Sequence, residues 1–366
     1  MPRSVPGENT AAADAGGSAD AVRDGDAVRD EGAVHPARTA RTARTARTAR
    51  TARTARTARD ERTARDERTA RDERAARDER ADVAAFRRSL GLSRLVDVHT
   101  HFMPQRLLAK VWAYFDAAGP LVGRHWPITY RHEERQRLET LRGFGVRAFT
   151  SMLYPHKPGM ARSLNDWAAE FAARTPDCLH TATFYAEPSA PDDVRRALEQ
   201  GARVFKCHLQ VGAYDPNDPL LDGVWALLTE AGVPVVTHCG SGPVPGPFTG
   251  PGPVAALLAR YPRLPLTVAH LGMPEYEEFL ALAERYERVT LDTTMAFTAF
   301  VEEAAPFPRR ALPRLADLGD RVLLGTDFPN IPYSYADALH ALERTDLGTA
   351  WLRAVCHDNA ARLFGL

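Results

Sequence analysis

His99 and His101 close the run Arg94-Leu-Val-Asp-Val-His-Thr-His101. Leu95, Val96 and Val98 mark a buried strand, and on a strand residues i and i+2 point to the same face. Both imidazoles therefore aim at one spot at the strand's C-terminal end. There they offer a divalent metal half of a tetrahedral ligand set. Single chemistry-bearing residues end three further apolar runs: His238 in Val235-Val-Thr-His-Cys-Gly240, His270 in Leu266-Thr-Val-Ala-His-Leu-Gly272, and Asp327 in Val322-Leu-Leu-Gly-Thr-Asp-Phe-Pro329. Imidazoles with a carboxylate form an N/O donor set that suits Zn²⁺ first, and also Mn²⁺, Fe²⁺ or Co²⁺. A lone His at a strand end is more often a hydrogen-bonded structural residue, and Asp327 alone could cap a helix. The whole set, placed at the ends of separate strands, is hard to obtain by chance. His125, His132, His180, His340 and His357 carry no such pattern and read as structural or surface residues.

These residues need a scaffold that gathers strand ends distant in sequence. Short β-rich runs are expected at 94–101, 146–153, 179–185, 203–209, 234–239, 265–271, 289–294 and 321–327, each followed by a helical stretch. Eight such units predict an α/β chain folded as a (β/α)8 TIM barrel, whose active sites lie at the C-terminal strand ends. The strands are continuous apolar runs, as a parallel sheet covered on both faces requires. A doubly wound open sheet is the alternative, but only closure brings strands one, five, six and eight around one centre.

Residues 1–82 differ from residues 83–366. Arg-Thr-Ala repeats from Arg38 to Arg59, then passes into Arg-Thr-Ala-Arg-Asp-Glu repeats. With 18 Arg, 16 acidic residues and four Val as the only large aliphatics, this arm cannot offset the cost of ordering by burial. A disordered arm is expected, with a frayed solvated helix as the option left by its Asp/Glu-to-Arg spacings. Residues 83–366 form the catalytic domain. The formal net charge is +0, which gives no reason to expect nucleic acid or an anionic membrane as partner. Cys178, Cys207, Cys239 and Cys356 have no CxxC spacing and read as reduced thiols. Neither a signal peptide nor a run of about 18 apolar residues is visible. A soluble cytoplasmic protein is expected.

Asp97-x-His99-x-His101, Pro234-Val-Val-x-His238, Ala269-His270-x-Gly272, Gly325-x-Asp327-x-Pro329 and the terminal Asn359-Ala-Ala-Arg-Leu-Phe364 resemble the amidohydrolase superfamily. The nearest resemblance is to its amidohydrolase-related branch, the aminocarboxymuconate semialdehyde decarboxylase type. The resemblance implies a distorted TIM barrel with one catalytic divalent metal and no organic cofactor. His99, His101, His238 and Asp327 would be its ligands. His270 would be the acid/base residue, with Asp327 also moving a proton to the leaving group. By the same analogy a homodimer is expected. Asp97 lies deeper on the face of His99 and His101, as support for the ligands or as a buried hydrogen-bonded acid.

Lys206 and His208 share one face at the end of the fourth strand. In some superfamily members a carboxylated lysine here bridges two metals; the plainer reading is that Lys206 or His208 meets an anionic substrate group. Tyr154, His156 and Lys157 follow the second strand in a loop of the kind that carries specificity, or in a plain Pro-rich turn. Gly240–Gly252 is an irregular, lid-like loop. The expected activity is hydrolysis of an amide, lactone or similar C–N or C–O bond in a small molecule by a metal-activated water. Non-oxidative decarboxylation of an aromatic or enolisable acid is the second reading. A non-catalytic metal-binding barrel is the third.

Overall fold

The computed structural model describes residues 36–366, so the arm expected at residues 1–35 lies outside it. Pro36–Ser89 is one helix. For residues 36–82 the helical option therefore replaces the expected disorder, for a local reason. Ala and Arg are among the best helix formers. The threonine hydroxyls also donate back to the carbonyl four residues earlier, as Thr45 does to Arg41 at 2.6 Å and Thr63 to Arg59 at 3.0 Å. Propensity, not burial, favours this helix.

Arg71–Leu366 is one compact unit, which includes the end of this helix. The end of the helix belongs with this unit because its side chains bond there. Tyr130 donates its hydroxyl hydrogen to Glu79 at 2.5 Å, His340 Nε2 meets Asp82 at 3.1 Å, and Val83 and Phe86 are buried.

This unit is a closed barrel. Its strands are β1 (Leu95–Asp97), β2 (Val146–Thr150), β3 (Cys178–Leu179), β4 (Thr181–Thr183), β5 (Val204–His208), β6 (Val235–His238), β7 (Leu266–Val268), β8 (Val289–Asp292) and β9 (Val322–Leu323). All named pairs are parallel, in the runs β1-β2-β3 and β4-β5-β6-β7-β8-β9. His180 separates β3 from β4, so these two fragments make one stave and the count of eight holds. Closure comes from the Val98 N–H donating to Leu324 O at 2.8 Å and a parallel bridge between Thr100 and Phe328. The short last strand and the broken third one are the expected distortion.

Val96, Val98, Ala148, Val204, Val236 and Leu323 meet inside the barrel, and Phe364 of the closing helix packs among them. That apolar plug leaves the opposite end for polar groups. The helical stretch after β8 is split into Ala299–Glu302 and Leu312–Asp317, since Pro306 and Pro308 forbid continuous helix. The closing helix widens to a π-turn at Ala354–Asp358, and Val355 O there accepts from Leu324 N at 3.0 Å. The four cysteines are free and buried. Among the described residues no helix is long and apolar enough to cross a membrane.

Candidate active site

The end of β1 carries Asp97, His99 and His101 into the barrel mouth, all buried. Asp327 arrives from the other side of the closure. Its backbone N–H donates to His99 O at 2.8 Å, and its φ of 73° is left-handed, a conformation costing a non-glycine residue of order 1 kcal/mol or more. Gly325 permits the approach: a Cβ there would collide with Thr294 Oγ1 and lie 2.8 Å from His99 Cβ. As a result Asp327 Oδ1 sits 2.8 Å from His101 Nε2 and 3.5 Å from His99 Nε2. One ligand atom from each of His99, His101 and Asp327 falls within 4.8 Å of the others.

The ring tautomers follow from the partners. Met152 O can only accept, so His101 Nδ1 donates to it at 2.5 Å, which leaves Nε2, beside Asp327 Oδ1, as the nitrogen that would face an ion. His99 Nδ1 donates to Asp292 Oδ2 at 2.9 Å, with the same result. Two imidazole nitrogens and a carboxylate oxygen, each backed by a further hydrogen bond, suit a divalent ion.

Burial raises Asp327, but His101, His270 and His99 outweigh it and hold the carboxylate well below its usual range. Burial, with Lys206 adding to it, lowers His99 to about 4, and burial lowers His270 to about 4. Both rings are neutral at physiological pH.

Asp292 was not singled out from the sequence. Its Oδ1 accepts from the backbone N–H groups of His270 at 2.9 Å and Thr294 at 3.1 Å, while Oδ2 holds His99. Val289-Thr-Leu-Asp292 ends an apolar strand much as Asp327 does, so the signal was present. Asp97 accepts from His99 N at 3.2 Å, Thr326 Oγ1 at 2.6 Å and Tyr335 OH at 3.0 Å. Burial pushes it up to about 7, despite those bonds.

His238 does not join the group of three. Its Nε2 donates to Gly242 O at 3.0 Å and its ring stacks on His208 at 4.2 Å, leaving the Nδ1 lone pair as its one metal-binding option. The Gly242 carbonyl thus sets the ring of a residue that the family resemblance makes a metal ligand. His270 lies 5.2 Å from His99 and 4.7 Å from His238, ring to ring, with a buried Nδ1 that lacks a partner. Its φ of 57° and that of Leu271 at 52° turn the chain abruptly at this point. Lys206 Nζ lies 2.9 Å from His99 Nε2, beside the ligand group, and burial lowers it to about 8. Burial likewise keeps His208 and His238 well below the usual imidazole range.

These groups line a cavity of about 620 Å³. Tyr154 and His156 are on its wall, whereas Lys157 is exposed and does not line it. One side is the face Leu107, Lys110, Val111 and Tyr114 of helix Gln105–Ala117, at the i, i+3, i+4, i+7 spacing. Pro243–Pro247 also line the cavity, so the irregular loop does wall the site. Lys110 and Lys206 are the cations of the lining and Asp327 its carboxylate.

The amidohydrolase family profile matches residues 96–366, which contain every residue of this site. The chain belongs to the amidohydrolase family. No curated protein matches it. Among solved structures this amidohydrolase-family chain is similar in fold to an uncharacterised TIM-barrel protein from Bordetella bronchiseptica, with TM-score 0.61 and 18% identity over 74% of this chain and 98% of that one. It is also similar to a 5-carboxyvanillate decarboxylase from Novosphingobium aromaticivorans complexed with manganese and a nitrobenzoic acid, with TM-score 0.53 and 16% identity over 75% and 96%. A third is a probable 2-pyrone-4,6-dicarboxylic acid hydrolase from Acinetobacter baumannii with citric acid bound, with TM-score 0.52 and 15% identity over 75% and 100%. Family membership makes the protein an enzyme of a metal-dependent class, on a barrel shared by all three.

Proposed function

We propose that this protein hydrolyses a carbonyl-type bond, in an amide, lactone or similar small molecule, using one divalent ion held by His99, His101 and Asp327. The observation that carries the reading is the convergence of the His99 and His101 Nε2 atoms with an ionised Asp327 at the wall of the cavity. Zn²⁺ suits this N/O set best, with Mn²⁺ next. When bound, the ion supplies Lewis acidity that polarises the substrate oxygen and acidifies water. The chain's own residues manage position and protons. Asp292 and Met152 O hold the two ligand rings in one tautomer. Neutral His270 would take one proton of the attacking water, and the Asp327 carboxylate would accept the other and pass it to the leaving atom. The apolar walls exclude bulk water. His238 is the further ligand through Nδ1.

A second reading is non-oxidative decarboxylation. It is favoured by the pairing of Lys206 and Lys110 with a largely apolar lining that includes Phe115 and Trp126, which suits a flat organic acid. One experiment separates the two. Metal-loaded protein is offered paired amide, lactone and aromatic-acid panels in H₂¹⁸O. Hydrolysis places ¹⁸O in the product without CO₂ release. CO₂ release with no label in the remaining product would reject the hydrolase reading.

A further inference from the structure

Six histidines line the cavity, and the main chain sets the ring of one of them, His208, in the opposite sense to His99, His101 and His238. In His99, His101 and His238 a ring N–H is used behind the site, so what remains is a lone pair. His208 is reversed. It caps the short turn Leu209–Gly212, and its Nδ1 accepts from the backbone N–H of Val211 at 3.3 Å. A backbone N–H can only donate, so the neutral ring carries its hydrogen on Nε2. Among the described residues nothing accepts that hydrogen. The ring is 8% exposed and cannot swing away: Tyr154 packs on it at 4.5 Å and His238 lies parallel to it at 4.2 Å and 10°. Its Nε2 is open to the cavity, so a molecule bound there can accept that hydrogen in place of water.

The rest of the lining says which acceptor. Lys206 precedes His208 by two residues on β5 and Lys110 faces the same cavity, while Asp327 is the one carboxylate there. We propose that His208 Nε2–H grips a carboxylate oxygen of the substrate, so that the enzyme takes organic acids with an apolar body. The inference rests on this cavity being the active site and names the substrate class for it. His208 is thus a substrate-binding residue that selects acceptors and disfavours groups that can only donate.

The test uses the full chain loaded with Zn²⁺ and benzoate as the probe. Wild type, His208→Phe and His208→Gln are titrated by calorimetry, and the metal content of each is measured. Phe keeps a flat ring between Tyr154 and His238 but has no donor; Gln keeps an N–H near the Nε2 position. The expected result is benzoate binding weakened at least about tenfold in the Phe variant, as for a lost hydrogen bond to a charged group. Gln should stay within about threefold of wild type, and all three proteins should hold equal metal. Spectra of ¹⁵N-histidine protein should place the His208 hydrogen on Nε2, with a shift when benzoate is added. Unchanged benzoate affinity in His208→Phe, no benzoate binding by wild type, or a hydrogen on Nδ1 would each overturn the proposal. Loss of hydrolytic turnover with this binding pattern intact would reject the hydrolase reading alone.

Discussion

At the scale of single residues, the site depends on groups that never meet substrate. Asp292 holds the His99 ring and, through its other oxygen, the backbone at His270. Asp292→Asn puts an amide in place of the acceptor, and a wrong flip would face His99 Nδ1–H with another donor. Metal affinity should fall about 10- to 100-fold with the fold intact, the usual range for such supporting groups. Chelator competition reads this, and wild-type affinity in the variant would remove Asp292 from the site. Gly325→Ala tests the backbone in the same way, since its methyl would collide with Thr294 and crowd His99. It should lose metal as completely as His99→Ala does, and normal occupancy would contradict the argument. His99 and His101 could be read from the sequence because alternation fixes direction two residues at a time, and Asp327 from its place after an apolar run. His238 sat at an equally plain strand end, yet a loop carbonyl four residues later sets its ring, and loops do not follow that alternation. Tyr335 and Thr326, which hold Asp97 from distant parts of the chain, left no local signal at all.

At the scale of elements, the end of the first helix is part of the barrel's wall. Phe86 is buried, with its ring edge-on to His340 at 5.9 Å, and Glu79 accepts from Tyr130, whose oxygen takes the Tyr335 N–H at 2.6 Å. Phe86→Ala should cost roughly 3–5 kcal/mol, the range for emptying a buried aromatic site. Denaturant unfolding measures it, and a loss under about 1 kcal/mol would mean the helix is merely apposed. His340 adds a pH dependence. Burial works against its charge, but Glu343 and Asp82 outweigh that and raise it. A raised folded value gives stability that is complete below about pH 6.5 and lost as pH rises through the folded value. His340→Gln should therefore reduce stability more at pH 6 than at pH 8. The barrel strands were legible because continuous apolar runs have one economical use, a parallel sheet buried on both faces. The helix over residues 36–82 was legible only as an option from its Asp/Glu-to-Arg spacings, because the Arg-Thr-Ala repeat buries little and folds by propensity.

At the scale of the whole molecule, the barrel gathers neutral imidazoles in one buried place. His99, His208, His238 and His270 all have folded values below the ordinary one, largely through burial. The unfolded chain therefore binds more protons, and stability falls as pH drops from about 6.5 toward 4. Asp97, raised to about 7, acts in the opposite sense, but as one group against four. Thermal unfolding of chelator-treated protein should show a midpoint that declines steadily from pH 7 to pH 4.5, and added Zn²⁺ should raise the midpoint near pH 7. A flat profile would mean the rings are charged or exposed. The central claim is that His99, His101 and Asp327 form one metal centre. Elemental analysis of purified wild type beside His101→Ala and Asp327→Ala tests it most directly. About one equivalent of divalent metal per chain is expected in wild type, with its loss in both variants, each still folded. Full occupancy in either variant, or a wild type that neither carries nor takes up Zn²⁺ or Mn²⁺, would contradict it.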